Sequence, residues 1–377
     1  MSNKHPSPGQ SQRDDATFGY VFPAIRGVQA GREYYASMCP LRLIPRIFLF
    51  DEEELVPEMR AQRVLNKGRI PELSTYIVDN TDSYVFSAIT ASIDAEVKFR
   101  PLGPDHSKSK LGELHVPMDA RFIINDGQHR RAAIEVALRE SPELGDETIA
   151  VVFFLDIGLD RCQQMFADLN RNSVRPSKSI GVLYDHRDDD SQLTRLIVLR
   201  SDFYRDIVEM ERSTLSPRSR KLFTLSSLYQ ATKALLSNRE REDIDSLALL
   251  ATDYWESVAK HMPEWRQVHA RKLSAGEVRR DFLHSHGTVL HSLGHVGNAL
   301  LRLQPRVWKQ KLGKLTALDW SRSNTELWEG RAMIGGRVSK AGHNVTLTTN
   351  AIKLHLGLEL TADEQRVEQA HTGRDHG

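Results

Sequence analysis

A cluster of polar and charged side chains is the feature of this sequence best suited to chemistry. Its members are Asp126, Gly127, Gln128, His129 and Arg130, followed directly by Arg131. Glycine permits a tight turn at this point, and the start of the helix that follows presents N–H groups that attract anions. Arginine matches the geometry of a phosphate with two parallel hydrogen bonds. The cluster is therefore a candidate site for a nucleotide or a DNA backbone phosphate. The alternative is a polar turn whose arginines face solvent.

The same residues allow an enzymatic interpretation. Asp126 could hold a metal or a water molecule, and His129 could transfer a proton because its ordinary pKa lies near neutrality. Arg130 would then stabilise the charge on a phosphate. No Walker-type glycine-rich loop with lysine occurs in the chain, which argues against an ordinary ATPase. Asp126 and His129 are thus candidate catalytic residues, with a nucleotide as a conceivable but not required cofactor.

A second polar segment lies further along the chain. Asn170 follows a predicted helix, and Ser177 is a predicted N-cap for the next helix, with Lys178 in its first turn. Together with Arg175, these groups could bind a phosphate backbone. Helix capping combined with solvated charge is the alternative. Further basic candidates for DNA contact are Arg32, Arg63, Arg69, Arg218, Arg220 and Lys221.

Four histidines near the middle of the C-terminal half raise a metal hypothesis. They are His284, His286, His291 and His295, of which three could share one helical face. Core or surface histidines are the more common explanation of such a pattern, and no metal site is predicted.

The elements around the cluster predict its fold. A strand over 120–124, a helix over 128–139 and a buried strand over 148–155 lie in succession, which indicates an α+β core. The other elements predicted in this half are a strand over 43–50, a helix over 70–78, a strand over 84–93, an exposed loop over 103–110 and a helix over 159–169. From about residue 191 the patterns become helical, over 193–210, 226–236, 244–262, 282–303 and 351–356. The predicted class is α+β, a mixed α/β N-terminal core followed by a mainly α-helical region.

Length and composition limit the organisation. The 377 residues exceed one usual core, so we expect a disordered lead-in over 1–17, an α/β domain over 18–190, a helical domain over 191–360 and a frayed polar tail over 361–377. The formal net charge is only +1, so a basic surface requires local clustering. Two cysteines and the lack of a long apolar run predict a reduced cytoplasmic protein without a membrane span.

Residues 126–130 are also the signature of the DGQHR family, and residues 131–134 continue as in that family. Further blocks resemble its DndB members. They are residues 18–35, 60–77, 166–179 and 185–188, with a weaker likeness at 344–345 and 352–353. Because several blocks occur in the right order, the resemblance is more specific than a pentapeptide alone.

The resemblance implies a role beside the system that replaces a phosphate oxygen of DNA with sulfur. DndB proteins are regulators that bind double-stranded DNA and repress their own operon. The implied partners are that promoter and other proteins of the modification system, and a homo-oligomer is possible. The core is similar to the ParB-like fold, in which residues 69–76 would form the helix before the sheet. Gln128 and His129 depart from the ParB motif, so nucleotide hydrolysis is not carried over. Two alternative functions stay open. One is a nucleotide hydrolase or nuclease that acts at residues 126–130, and the other is a protein adaptor of the modification complex.

Overall fold

A computed structural model of the chain describes residues 18–48, 68–103, 109–155, 164–165, 168–169, 176–239 and 243–372. The chain forms two compact units, residues 1–174 and 175–377. Each unit has its own hydrophobic core. The predicted lead-in over 1–17 lies outside the described residues.

A mixed seven-stranded sheet forms the framework of the first unit. The strands are β1 (Gly19–Gln29), β2 (Arg32–Pro40), β3 (Ile89–Asp94), β4 (Lys98–Pro101), β5 (Leu111–Pro117), β6 (Arg121–Asp126) and β7 (Thr148–Leu155). Their spatial order is β4-β5-β1-β2-β7-β3-β6, in which β3 and β7 are parallel and all other neighbours are antiparallel. Strand β6 therefore lies at an edge of the sheet.

Helices cover one face of this sheet. They are α1 (Ile44–Ile47), α2 (Arg69–Asp79) and α3 (Gln128–Glu140). Helices α2 and α3 pack against each other, and Ile77, Ala133 and Ile134 join the buried strand residues in one core. Because strand side chains alternate between faces, only every second strand residue reaches this core.

Four of the elements predicted in the first unit are confirmed. The strands over 120–124 and 148–155 and the helices over 70–78 and 128–139 all form.

The predicted strand over 43–50 is wrong where the chain is described, because a 3-10 turn and α1 occupy 41–47. Pro45 suits the first turn of a helix but cannot donate to a strand. The strand predicted from residue 84 begins only at Ile89, because the backbone N–H groups of Tyr84 and Val85 donate to Asn80 O (2.8 Å) and to the hydroxyl of Tyr76 (2.9 Å) and not to a neighbouring strand. Most of the predicted segments 103–110 and 159–169 lies outside the described residues.

The second unit is mainly helical. Its helices are α4 (Lys178–Tyr184), α5 (Asp189–Arg200), α6 (Asp202–Ile207), α7 (Leu225–Leu236), α8 (Ile244–Lys260), α9 (Pro263–His269), α10 (Ala275–Asp281), α11 (Gly287–Leu300), α12 (Pro305–Leu312), α13 (Thr325–Trp328), α14 (Gly342–Leu356) and α15 (Ala362–Thr372). Helix α7 packs against α11, and α11 also packs against α14. The fully buried Tyr254 and Trp255 of α8 donate hydrogen bonds to Leu293 O (2.6 Å) and Thr232 Oγ1 (3.2 Å). The predicted helical character of this half is confirmed.

Short strands in the second unit correct one of the sequence predictions. Strand character does not end near residue 191, because β8 (Val208–Glu209) pairs with β9 (Phe223–Thr224), and β10 (Met333–Ile334) pairs with β11 (Arg337–Val338). These two-residue strands are too short to give a periodic pattern.

The prediction of a frayed polar tail is wrong for residues 362–372, which form α15. Its carboxylates bind the buried Lys353 and the partly buried Arg331 of the same unit. Lys353 Nζ lies 2.6 Å from a carboxylate oxygen of Glu364, and Arg331 hydrogen-bonds Glu368 at 3.0 Å. These two ion pairs therefore attach α15 to the rest of the unit, although the helix has no buried residue of its own.

The predicted α+β class is confirmed by this combination of a mixed sheet and a helical unit. Among the described residues, no helix combines the length and the apolar character needed to cross a membrane.

Candidate functional site

The turn between β6 and α3 carries the cluster found in the sequence. Gly127 precedes the helix with a φ of +109°, a conformation that other residues rarely adopt. A Cβ atom here would also lie 3.1 Å from Ile89 Cγ1 and 3.1 Å from Arg130 Nη2. Backbone conformation and close packing therefore both require glycine at this position.

Arg130 is fixed across the turn. Its Nη2 donates to Asp126 Oδ2 at 2.6 Å, and its Nη1 donates to the hydroxyl of Ser87 in the loop before β3. Its Nε is buried and has no hydrogen-bond partner among the described residues. The Arg130 side chain is 17% exposed and that of Asp126 is 47% exposed, so this ion pair forms part of the accessible surface.

A β-bulge precedes the turn. Thr90 pairs with Asp126, but Ala91 pairs with Ile124, so Asn125 is an extra residue in β6. Bulges bend a strand and change the direction of its side chains, and they are common beside functional sites. The bulge therefore contributes to the direction of the Asp126 side chain.

Two polar residues of this region were missed by the sequence interpretation. Asn125 is fully buried, its Nδ2 donates to Ser92 Oγ at 2.7 Å, and its Oδ1 has no partner among the described residues. Ser87 contacts Arg130 only in the folded chain, because the two residues are 43 positions apart in the sequence. A polar residue at the end of an apolar run could have indicated Asn125, whereas no sequence pattern indicates Ser87.

His129 lies in the first turn of α3, close to positive charge. Burial lowers its pKa, the charges of Arg69 and Arg130 lower it further, and Asp126 partly opposes them. The imidazole is therefore mainly neutral near pH 7. Arg69, exposed at the start of α2, thus belongs to the same electrostatic environment as the turn.

The remaining two members of the cluster have structural contacts. Gln128 Nε2 donates to Ile124 O at 3.2 Å. Arg131 is 8% exposed, and its guanidinium donates to Phe48 O (2.8 Å) and Pro45 O (3.2 Å) and pairs with Glu135. These contacts fix the N-terminal turn of α3, and they leave Arg131 little surface for phosphate.

The second polar segment lies partly in the second unit. Ser177 caps α4 as predicted, because its Oγ accepts from Ile180 N at 3.1 Å, and it also donates to the carbonyl of Glu211. Lys178 is exposed in the first turn of α4. Asn170 and Arg175 lie outside the described residues.

The other basic candidates are dispersed. Arg218 and Arg220 are exposed in the loop before β9, whereas Lys221 Nζ donates to Arg205 O and Asp206 O at 3.1 and 2.9 Å. Arg32 begins β2, which runs in the same direction as β6, so Arg32 lies at the opposite end of the sheet from the turn. Arg63 lies outside the described residues.

The four histidines do not form a common site. His284 is buried, where its Nδ1 accepts from Trp265 Nε1 at 3.0 Å and its Nε2 lies 3.1 Å from Glu264. Burial and the charge of Arg322 lower the pKa of His286 to about 4. The remaining pair, His291 and His295, contact each other on α11 with tilted rings whose centroids are 4.8 Å apart. Within the described ranges, no group of three metal-ligating side chains is placed to hold an ion.

These features define a mixed α+β protein with a glycine turn that presents arginine at an anion-attracting helix start. The chain belongs to the DndB family, described as DNA-sulfur modification-associated, because the family model matches residues 22–359. No curated protein and no solved structure matches the chain. The association with DNA sulfur modification therefore holds for the family, and the likeness to the ParB-like fold stays a prediction.

Proposed function

We propose that this chain is a DNA-binding regulator of a DNA sulfur modification system, a transcriptional repressor at the promoter of its own operon. The observation that carries the proposal is the Asp126–Arg130 pair at the start of α3. Arg130 neutralises Asp126, so a phosphate can approach the helix start without facing an unpaired carboxylate. Family membership supports the link to DNA sulfur modification.

Further groups support contact with a phosphate backbone at this turn. Arg69 is an exposed cation in the same environment, and His129 can donate or accept a hydrogen bond there. Such contacts give affinity and fix the position of a protein on DNA, whereas base recognition requires other groups. Operator selectivity would therefore depend on residues outside the turn.

Binding of the full chain to its own promoter fragment and to a scrambled duplex of equal length tests the proposal. We expect promoter binding to be about a thousandfold tighter or more, as is typical of specific DNA-binding proteins. Arg130→Ala should weaken binding to both duplexes, since it removes a cation and leaves Asp126 unpaired. Arg139→Ala is the matched control, because Arg139 lies at the other end of α3 and is paired with Glu135 at 2.9 Å. Equal affinity of the wild-type chain for both duplexes would refute a selective regulator.

The lowered pKa of His129 favours one alternative, a nucleotide hydrolase or nuclease that uses the neutral imidazole as a base. Metal-dependent turnover abolished by His129→Ala would establish it. Stable co-purification with other modification proteins, without DNA retention at modest salt, would instead establish an adaptor.

A further inference from the structure

Two adjoining clefts lie in the second unit, with volumes of about 820 and 780 Å³. Ser213, Ser227, Gly287, Thr288 and Lys340 line both of them, so the clefts meet along these residues. Volumes of several hundred Å³ are those of small-molecule sites. The clefts therefore have room for a ligand of nucleotide size.

Two of the positive charges of the clefts are unpaired, whereas Arg279 and Arg280 of the first cleft already bind backbone carbonyls and Asp281, respectively. Lys340 lines both clefts and Lys178 lines the second, and each is exposed. Within the described part of the chain, neither Nζ atom makes a hydrogen bond or an ion pair. These two lysines come from different elements, and an anion between them would satisfy both.

The carboxylates of the clefts, in contrast, already have partners. Asp185 accepts from the N–H groups of Arg187 (3.0 Å) and Asp188 (3.2 Å), and Asp188 accepts from Ser191 N at 2.9 Å. Glu277 accepts from Ser274 N at 3.2 Å. Backbone donors hold these carboxylates in place without removing their charge. The four cations of the two linings, Lys178, Lys340, Arg279 and Arg280, exceed the three carboxylates, so the formal charge of the clefts is slightly positive.

Hydroxyl groups add neutral hydrogen-bonding capacity. Ser213 Oγ accepts from Ser179 N at 3.0 Å, which leaves its proton available to another acceptor. Ser227 Oγ lies 2.8 Å from Thr224 Oγ1. Gly287 allows α11 to approach α7 closely, since a Cβ there would lie 3.1 Å from Ser227 Oγ. Hydroxyls beside lysines are the groups that commonly bind phosphate oxygens.

We infer that these clefts bind a small phosphate-bearing molecule of nucleotide size, with the phosphate between Lys178 and Lys340 and within reach of Ser213 and Ser227. Tyr229 in the second cleft and Val338 in the first offer apolar surface to the rest of the ligand. The inference goes beyond the proposed DNA contact and does not rest on it, because the clefts and the Asp126–Arg130 turn belong to different units.

Calorimetric titration of the full chain with AMP and with inorganic pyrophosphate, at constant ionic strength, tests the inference. We expect saturable binding of both, weakened about tenfold or more by the double substitution Lys178→Gln and Lys340→Gln. Lys314→Gln is the matched control, because Lys314 is an exposed lysine of the same unit outside the clefts, and it should change affinity less than twofold. Thermal unfolding of each variant checks that the fold is retained.

Binding of neither probe by the wild-type chain would overturn the inference, as would equal binding by the double variant. Displacement of AMP by a short DNA duplex would also overturn it, because the clefts would then hold a DNA phosphate. Retained AMP binding by Arg130→Ala would support a site separate from the turn. If promoter selectivity were lacking while AMP still bound, the proposed function would fail and this inference would stand.

Discussion

Arg130 and Arg131 are neighbours in sequence, yet their surroundings differ. Arg130 bridges Asp126 and Ser87 at the surface, whereas Arg131 is buried against backbone carbonyls. Successive helix residues differ by about 100° in direction, so adjacent side chains meet different partners. Of the two arginines, only Arg130 belongs to the surface proposed to meet a phosphate.

At the residue scale, Gly127→Ala tests the backbone of the turn. We expect a loss of about 1 to 3 kcal/mol in the free energy of unfolding, because alanine is strained at a φ of +109°. Urea unfolding of the full chain measures it. Gly181→Ala is the control, since an added Cβ in α4 would meet nothing within 4 Å and should leave stability unchanged or slightly raised. Equal stability of Gly127→Ala and the wild type would contradict the described geometry.

The titration of His129 is a second residue-scale prediction. NMR should give it a pKa below the ordinary value of about 6.5, and Arg69→Ala should raise that pKa by removing a nearby positive charge. Arg121→Ala, at the other end of β6, should leave it unchanged. Because the folded pKa is depressed, the stability linked to His129 is present above about pH 6.5 and is lost as pH falls through the folded pKa. A His129 pKa that does not change in Arg69→Ala would show that Arg69 is remote from the turn.

At the element scale, Arg131 anchors α3 to the segment that contains α1. Arg131→Gln should reduce the free energy of unfolding by about 3 kcal/mol, because the carbonyls of Phe48 and Pro45 and the carboxylate of Glu135 lose a charged donor. Arg139→Gln on the exposed side of the same helix should cost less than about 0.5 kcal/mol. Denaturant unfolding compares them, and similar losses would argue against an anchoring role.

The elements that the sequence predicts well are those with a strong local pattern. The β6–α3 turn combines an apolar strand, a glycine and an amphipathic helix, and each agrees with the fold. Helix α15 is mainly polar and depends on Lys353 and Arg331 of the folded unit, so its sequence alone indicates a frayed tail. The contact of Arg130 with Ser87 spans 43 positions and likewise needs the tertiary structure.

At the scale of the whole molecule, the two units have separate cores. Every buried member of the helical core lies between Val182 and Leu356, and every one of the sheet core lies between Phe22 and Phe153. We expect a fragment of residues 175–377 to retain helical circular dichroism and to unfold cooperatively, because a domain with its own core can fold alone. Gradual loss of the helical signal on heating would show that the helical unit depends on the first one.

The near-neutral charge of the chain also bears on DNA contact. Since the formal net charge is only +1, affinity for DNA cannot come from a general positive field and must come from local groups. The number of phosphates contacted should therefore be small, and the loss of one contact should be measurable.

The salt dependence of promoter binding, measured in parallel for the wild-type chain and Arg130→Ala, tests the central claim most directly. The account predicts selective binding that weakens with salt, and a variant that binds more weakly with a log–log slope reduced by about one. Identical slopes and affinities for the two proteins would contradict the claim that the Asp126–Arg130 turn contacts the DNA backbone.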